Sequence, residues 1–449
     1  MNPTVRQLLF TKRKHKIYGV LWDKGSSPAM VRTDASIGMT AAAGVGTGLV
    51  RNDFDSAEIF REIHDVTDTY GNVFRRIPKI YIRKTDGTGF KTWQISKTQY
   101  PGFYLPWCFW NFATSQELPH VDVGKNKATK DASNRLESKP NLYPLVSDTI
   151  VNFRTFARNN NAGGLLGYQQ LDIHVVDLLQ TLFYIEFATL NSQAIMQGYS
   201  TGQYLATHTA TVAETAVNRI IVVNAHADLY RVGQAISVGT FLGDNQIFYG
   251  RNITAIDVYD ASNKAITFDG AVVDIAVGNV LYNTSWKNGF SANIAASSGS
   301  IVSNSDGKYP CVYRGIESPW GDIFQFVDGV NINELQAWVT PNAADYASNV
   351  FASPYVQLGY VNHSADGYTT AMGHDANYPY AAFPTAGGGS DTTFYSDWYY
   401  QAAGQRVARF GGSWLGSVFS GLSYWILFIT SSTPNVDAGG RLVRKGVQS

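Results

Sequence analysis

The chain has 449 residues, of which 45% are hydrophobic and only 16% are charged, so it can bury a substantial core and does not have the composition of a disordered protein. Lys plus Arg and Asp plus Glu number 35 each, and this balance argues against nucleic acid or an anionic membrane as a partner. The two cysteines, Cys108 and Cys311, lack CxxC or Cys/His spacing, so neither a disulfide framework nor a zinc site is indicated and buried, unpaired thiols are predicted.

Residues 1–69 form an N-terminal segment without helical periodicity. Its start lacks the charged and then apolar order of a secretory signal, and its basic cluster, TKRKHK at 11–16, favours a solvated or partner-docking segment over a nucleic-acid contact. The glycines of TAAAGVGTGLV, at 40–50, miss the spacings of nucleotide-binding loops. We therefore expect a flexible or partner-packed segment here, followed by a compact domain from about residue 70.

The first part of that domain, residues 70–204, combines a strand with two helices. The strand is predicted in NVFRRIPKIYIRKT (72–85), where Ile80 and Ile82 share one face. One helix is predicted after a Ser147 cap and a longer one after an Asp172 cap. In the longer helix, apolar residues recur at three- and four-residue steps and predict a single buried stripe. The residues of this stripe are Val176, Leu179, Phe183 and Phe187.

Residues 205–285 have a different sequence pattern, in which short runs of alternating apolar and polar residues are separated by Gly, Asn and Asp. This pattern predicts a small antiparallel β domain inserted into the larger one, which resumes over 286–449. Asp257, Asp260 and Asn263 lack the glycine and the final glutamate of a calcium loop, so they indicate a hairpin turn.

Catalytic motifs are absent from the sequence. The eight histidines are scattered without metal-ligand spacing, and no GxSxG elbow occurs. We therefore expect a protein that is not an enzyme and that carries no metal or cofactor. The apolar run YWILFI (424–429) is too short to cross a bilayer, so no membrane insertion is expected.

The C-terminal part of the chain contains two glycine-rich stretches, GGSWLGSVFSG (411–421) and GGRLV (439–443). Their glycines form a frame with variable residues between them. This frame resembles the variable region of the major tropism determinants of phages that use diversity-generating retroelements. Upstream, three further stretches look like successive landmarks of the C-type lectin fold in its formylglycine-generating-enzyme form. They are IPKIYIRK, GYQQLDIHVVDLLQTLFYIEFAT and RGIESPWGDIFQFVDGV, and the resemblance covers roughly 70–200 and 290–449.

The resemblance implies an α+β fold, namely a C-type lectin-like domain with an inserted small antiparallel β domain and an extended N-terminal segment. It implies a phage tail-tip or fibre protein that binds a host surface protein or glycan non-covalently. This protein is expected to be a homotrimer attached to other virion proteins through residues 1–69. The catalytic cysteine pair of the family's enzymes is missing, so oxidase activity is not carried over. Two alternatives stay open: a structural virion protein that packs against other phage subunits, and a cellular protein of the same fold.

Residue by residue, the resemblance places receptor-binding positions in the C-terminal stretch, and the neighbouring aromatics of YSDWYYQ add rigid area. If residues 413–419 are extended, alternate side chains project to one side, and Leu415, Ser417 and Phe419 are expected to be exposed. The competing interpretation is that YWILFI is a buried last strand. The candidate positions are Ser413, Leu415, Ser417, Phe419, Ile426, Phe428, Ile429, Thr433, Asn435, Asp437, Trp398, Tyr399 and Tyr400.

Overall fold

The computed structural model describes residues 15–164 and 167–446, so most of the basic cluster at 11–16 lies outside the described residues. Strands account for 35% of the chain and helices for 12%, so the structure is mostly β with few helices, which is broadly compatible with the expected α+β class. The helices are α1 (Ile150–Arg158), α2 (Ile173–Phe187) and α3 (Asn224–Ala227).

The strands lie in several antiparallel and mixed sheets. Those before residue 200 are β1 (Ile17–Trp22), β2 (Val31–Asp34), β3 (Gly44–Val45), β4 (His64–Thr67), β5 (Val73–Pro78), β6 (Tyr81–Gly87), β7 (Phe90–Ser96), β8 (Trp110–Asn111), β9 (Gln116–Glu117), β10 (His120–Gly124), β11 (Thr129–Lys130), β12 (Leu136–Glu137) and β13 (Tyr168–Gln170). Those after it are β14 (Glu214–Val217), β15 (Arg219–Val223), β16 (Ala235–Gly239), β17 (Phe248–Val258), β18 (Asn263–Phe268), β19 (Val273–Ile275), β20 (Val280–Asn283), β21 (Gly299–Ser300), β22 (Cys311–Tyr313), β23 (Ile316–Glu317), β24 (Phe324–Asn333), β25 (Gln336–Val339), β26 (Val356–Val361), β27 (Gly367–Met372), β28 (Pro384–Gly387), β29 (Trp398–Gln401), β30 (Arg406–Phe410), β31 (Trp425–Leu427), β32 (Ala438–Gly439) and β33 (Leu442–Lys445).

The N-terminal strand β1 belongs to a four-stranded sheet of order β2-β1-β7-β6. It pairs with β7 over its whole length, with Val20 opposite Trp93. Alternate residues of β1, Tyr18, Val20 and Trp22, are buried in the largest apolar core. The sheet therefore crosses the boundary expected near residue 70, and the segment after residue 15 is an integral part of the fold because burial of these side chains favours pairing over a free extended chain.

The stretch predicted as one strand at 72–85 is divided between two sheets. Strand β5 ends at Pro78, which has no N–H to donate to a ladder, and β6 begins at Tyr81. Strand β5 lies in a five-stranded sheet of order β13-β33-β10-β5-β4. The last strand, β33, thus lies between β13 and β10, so the end of the chain completes a sheet begun before residue 80.

The two predicted helices form, with one changed cap. The side chain of Asp172 caps α2 by accepting a hydrogen bond from the Val175 N–H at 2.9 Å, which confirms that cap. Helix α1 begins after Thr149 instead of Ser147, because the Thr149 hydroxyl accepts the Asn152 N–H. The single stripe expected on α2 is wrong, since every residue of this helix except Gln180 is buried. A helix that is buried on all sides is typical of a core position.

Residues 209–283 contain a five-stranded antiparallel sheet of order β15-β18-β17-β16-β20 and the pair β14-β19. These strands surround an apolar cluster of their own, distinct from the main core. Between β17 and β18, Asp260 Oδ1 accepts hydrogen bonds from the N–H groups of Ser262 and Asn263 at 2.7 and 2.8 Å. The hairpin-turn interpretation of these residues is therefore confirmed.

The largest sheet carries the C-terminal stretch. Its order is β26-β25-β24-β30-β31-β29-β27-β28, with β32 paired to β24. The central strand β24 is buried along nearly its whole length. Strand β29 runs parallel to β31 and antiparallel to β27, so residues from 367–372, 398–401 and 425–427 lie side by side.

Candidate binding site

Strand β29 presents two aromatic rings on one face and one on the other. Successive side chains of a strand point to opposite faces, so Trp398 and Tyr400 share a face while Tyr399 points the other way. The Tyr399 ring is buried in the main core, and its hydroxyl lies 2.5 Å from His363 Nδ1. Trp398 and Tyr400 are half-buried and pack at the edge of a second apolar cluster.

Three further rings extend this face into a continuous surface. Tyr368, opposite Trp398 on β27, meets it edge-on at a centroid distance of 4.9 Å. Phe419 lies 4.7 Å from Trp398, and Phe428 lies 5.8 Å from Tyr400. We call these five residues, Tyr368, Trp398, Tyr400, Phe419 and Phe428, the aromatic row. Four of them are half-buried, and Phe428 is 44% exposed.

The buried side of the aromatic row rests on the second apolar cluster. Tyr424, Ile426 and Ile429 are buried there beneath Trp398, Tyr400 and Phe419. Tyr424 lies 5.2 Å from the ring of Phe324 on the central strand. The rings of the row are therefore held from below by packed side chains, which lowers the entropy they lose when a partner binds.

The loop 411–420 forms the rim of the aromatic row. It is not extended as expected, because Gly411 and Gly412 adopt positive φ angles of 93° and 85° and turn the chain. A Cβ at Gly412 would lie 2.3 Å from Ser420 Oγ, so the turn also needs the missing side chain. After the turn, Ser417–Phe419 form a 3-10 helix. Leu415, 45% exposed, and Ser417 face solvent beside the row.

Arg409 fastens the second loop of the site, residues 430–437. Its guanidinium is buried, lies over the Phe326 ring at 4.6 Å, and donates to Asn435 Oδ1 and to the Thr433 carbonyl at 2.8 Å each. Burial lowers the pKa of Arg409 to about 10, against the opposing effect of Asp437. Hydrogen bonds from a charged group are stronger than neutral ones, so this contact holds the loop against the sheet.

Ser413 and Asp437 connect the two loops. The buried Ser413 hydroxyl donates to Asp437 Oδ2 at 2.8 Å. Burial raises the pKa of Asp437, while the Ser413 hydrogen bond and the charge of Arg409 oppose the rise. These contacts give Ser413 a role in the loop structure and remove it from the displayed surface.

The thirteen predicted positions thus separate into displayed and buried groups. Four are corrections, because their side chains are buried in the chain and are not available to a partner: Ser413, Tyr399, Ile426 and Ile429. The exposed positions are Leu415, Ser417, Phe428 and Asn435, and the half-buried ones are Phe419, Trp398, Tyr400, Thr433 and Asp437. The burial expected by the competing interpretation is confirmed for Tyr424, Trp425 and Leu427. Its assignment of this stretch to the last strand is wrong, because β32 and β33 follow β31.

Tyr368 is the member of the aromatic row that the sequence analysis missed. The stretch GYTTAM forms β27 and has a strand-like composition, and this was the only available signal. Its pairing with β29 depends on the order of strands in the sheet, which the local pattern does not contain.

Other types of site find little support in the described ranges. Among residues 15–164 and 167–446, no group of three or more His, Cys, Asp or Glu side chains is arranged to hold a metal ion. No helix in those ranges is both long and apolar enough to span a membrane. Cys108 and Cys311 are free and buried, which confirms the expected state of both thiols, and burial raises their pKa.

Neither a family model nor a curated protein matches the chain. The functional inference therefore rests on the resemblance of the sequence motifs and on the geometry of the aromatic row.

Proposed function

We propose that the chain is a phage virion protein of the tail tip or fibre that binds a receptor on the host surface through the aromatic row and its rim. In this proposal the fold is a C-type lectin-like domain of the formylglycine-generating-enzyme type with an inserted β domain. The proposal draws on the motif order described above and on the position of the frame GGSWLGSVFSG…GGRLV beside the row.

The observation that carries the proposal is the aromatic row itself. It combines five rings, and the loop that carries Phe419 adds two exposed apolar side chains, Leu415 and Val418. Contiguous apolar surface on a folded chain is typical of an interaction site. Aromatic rings supply large contact area with few rotatable bonds, which suits recognition of a host protein or glycan without covalent chemistry.

Attachment to the virion is assigned to the N-terminal part of the chain. Exposed apolar side chains recur there, at Val31, Ile37, Val45 and Leu49. Burial of these side chains against further copies or against another virion protein fits a homotrimer that displays several aromatic rows. Several linked copies raise a weak single-site affinity, because the second binding event on one cell occurs at high effective concentration.

The proposal is tested by binding of the purified protein to intact cells of candidate hosts. The variant carries Leu415→Asp and Phe428→Asp, two exposed positions whose change removes apolar surface and adds charge. The matched control carries Phe241→Asp and Val258→Asp, which are 62% and 77% exposed on the β unit of residues 209–283. Both variants should melt close to wild type, since exposed substitutions cost little stability.

Wild type and the control should bind cells, and the double variant at Leu415 and Phe428 should lose binding. Equal binding by all three proteins rejects the aromatic row as the receptor site. If no protein binds and electron microscopy of virions places the row inside a subunit interface, the chain is instead a structural virion protein.

A further inference from the structure

A separate cleft lies between the N-terminal sheet, helix α2 and the segment 370–382. Its outer part has a volume of about 470 Å³. An inner pocket of about 30 Å³ shares Lys91, Met372, His374 and Tyr395 with it. The outer volume falls within the range of small-molecule sites. None of the residues of the aromatic row lines either part.

The polar wall of the cleft alternates donors with acceptors. One carboxylate oxygen of Asp86 forms an ion pair with Lys24. The other carboxylate oxygen lies 3.3 Å from Lys91 Nζ. Deeper in, Lys84 pairs with Asp177 Oδ1. Lys24 and Lys91 share Asp86, so three lysines face two carboxylates and the cleft carries at most one net positive charge. It therefore does not require a strongly charged ligand to balance it.

Two buried polar atoms of α2 are left without partners in the described part of the chain. They are Asp177 Oδ2 and Thr181 Oγ1, and both residues line the inner pocket. A buried polar group without a hydrogen bond costs free energy. A ligand hydroxyl, or a water that such a hydroxyl replaces, supplies the missing partner because it both donates and accepts.

Two titratable groups at the junction of the two parts fit the same chemistry. Partial desolvation in the cleft and the nearby charge of Lys91 lower the pKa of the His374 side chain, which remains largely exposed, so its ring is neutral at pH 7 and offers one donor and one acceptor. Burial lowers the pKa of Lys91 to about 8. Its ammonium is therefore poorly solvated and gains from a hydroxyl oxygen in the cleft.

The apolar part of the lining is small. Ala371 and Met372 are half-buried there, while Trp22 and Tyr395, which meet edge-on at a centroid distance of 5.4 Å, belong to the main core and expose only 3% of their surface each. An apolar patch of this size among donors and acceptors matches a ligand with one C–H face and several hydroxyl groups.

We propose that this cleft binds a neutral mono- or disaccharide, with hydroxyl groups contacting Lys91, Asp86 and His374 and one hydroxyl arm entering the inner pocket toward Asp177. The site is distinct from the aromatic row and does not depend on the receptor-binding proposal.

The test is saturation-transfer NMR followed by calorimetry on the whole chain with D-glucose, D-galactose, N-acetyl-D-glucosamine, L-rhamnose and maltose, and with inorganic phosphate as the anionic comparator. Lys91→Met removes the ammonium, and Asp86 keeps Lys24 as its partner. His374→Ala removes an exposed side chain and should leave folding intact. His64→Ala, exposed on β4, is the matched control.

At least one of the saccharides should bind with a dissociation constant on the order of 1 mM or below. Lys91→Met and His374→Ala should each weaken the affinity for that saccharide about tenfold or more, and His64→Ala should leave the affinity unchanged. Binding of phosphate alone, of none of the probes, or with equal affinity by all variants overturns the proposal. The Leu415 and Phe428 double variant should keep saccharide binding, so failure of one proposal is distinguishable from failure of the other.

Discussion

The rings of Trp398 and Phe419 lie 4.7 Å apart and inclined by 35°, although one belongs to strand β29 and the other to a 3-10 helix of the rim loop. This contact joins the loop to the sheet at the centre of the aromatic row. The inner rings of the row are packed against each other and against the core, whereas its outer ring, Phe428, is 44% exposed.

Trp398→Ala and Phe428→Ala should differ in their effect on stability. Trp398 packs against three rings of the row, so its loss should lower the free energy of unfolding by about 2 kcal/mol. Phe428 has a large exposed fraction, so its loss should cost less than about 1 kcal/mol while reducing cell binding. Urea denaturation measures both values, and equal costs for the two variants would contradict this division of roles.

Arg409→Met should release the loop 430–437. Two charge-assisted hydrogen bonds are lost and Asn435 is left without its donor, so the free energy of unfolding should fall by about 3 kcal/mol. Hydrogen exchange should rise in this loop before it rises elsewhere. Arg406→Met, at the start of the same strand, is the matched control, and similar exchange in both variants would show that Arg409 does not hold the loop.

His174 should make the protein sensitive to acid. Burial lowers the pKa of His174 to about 3, with Asp172 and Lys445 acting in opposite directions on it. The unfolded chain, with an ordinary histidine pKa near 6.5, therefore binds a proton that the folded chain does not bind between about pH 6.5 and pH 3. The contribution of neutral His174 to the free energy of unfolding is fully present above pH 6.5. At pH 4.5 this contribution is smaller by about 3 kcal/mol.

The check is urea denaturation of wild type and His174→Phe at pH 7.5 and pH 4.5. Phenylalanine keeps a ring against Tyr380, which lies 4.1 Å from His174. Between pH 7.5 and pH 4.5, the fall in the free energy of unfolding should be about 3 kcal/mol smaller for the variant than for wild type. An identical loss in both proteins would exclude His174 as a source of the acid sensitivity.

Both thiols should be inert in the folded chain. Cys108 and Cys311 are buried, and burial raises the pKa of each, so the reactive thiolate is scarce at pH 8. A colourimetric thiol reagent should react with neither cysteine in native protein and with both in urea. Rapid labelling of native protein would mean that a segment covering one thiol opens readily.

Several features of the fold follow from local sequence. The cap of α2 at Asp172, the turn at Asp260, the burial of Tyr424, Trp425 and Leu427 and the unpaired cysteines each depend on neighbouring residues or on composition. The alternation of side chains along β29 also places Trp398 and Tyr400 on one face of the sheet and Tyr399 on the other. This alternation can be applied once the strand is known to lie at the edge of a core. Such properties are determined within a few residues of the chain.

Other features depend on contacts between distant segments. The N-terminal strand β1 is part of the main fold because β7 and the core accept its buried face, and Ser413 points inward because Asp437 and the turn at Gly412 place it there. Tyr368 joins the aromatic row only through the order of strands in the sheet. The sequence by itself determined the faces and ends of individual elements, whereas the tertiary structure decided which faces meet, because strand pairing and core burial gain free energy from segments far apart in the chain.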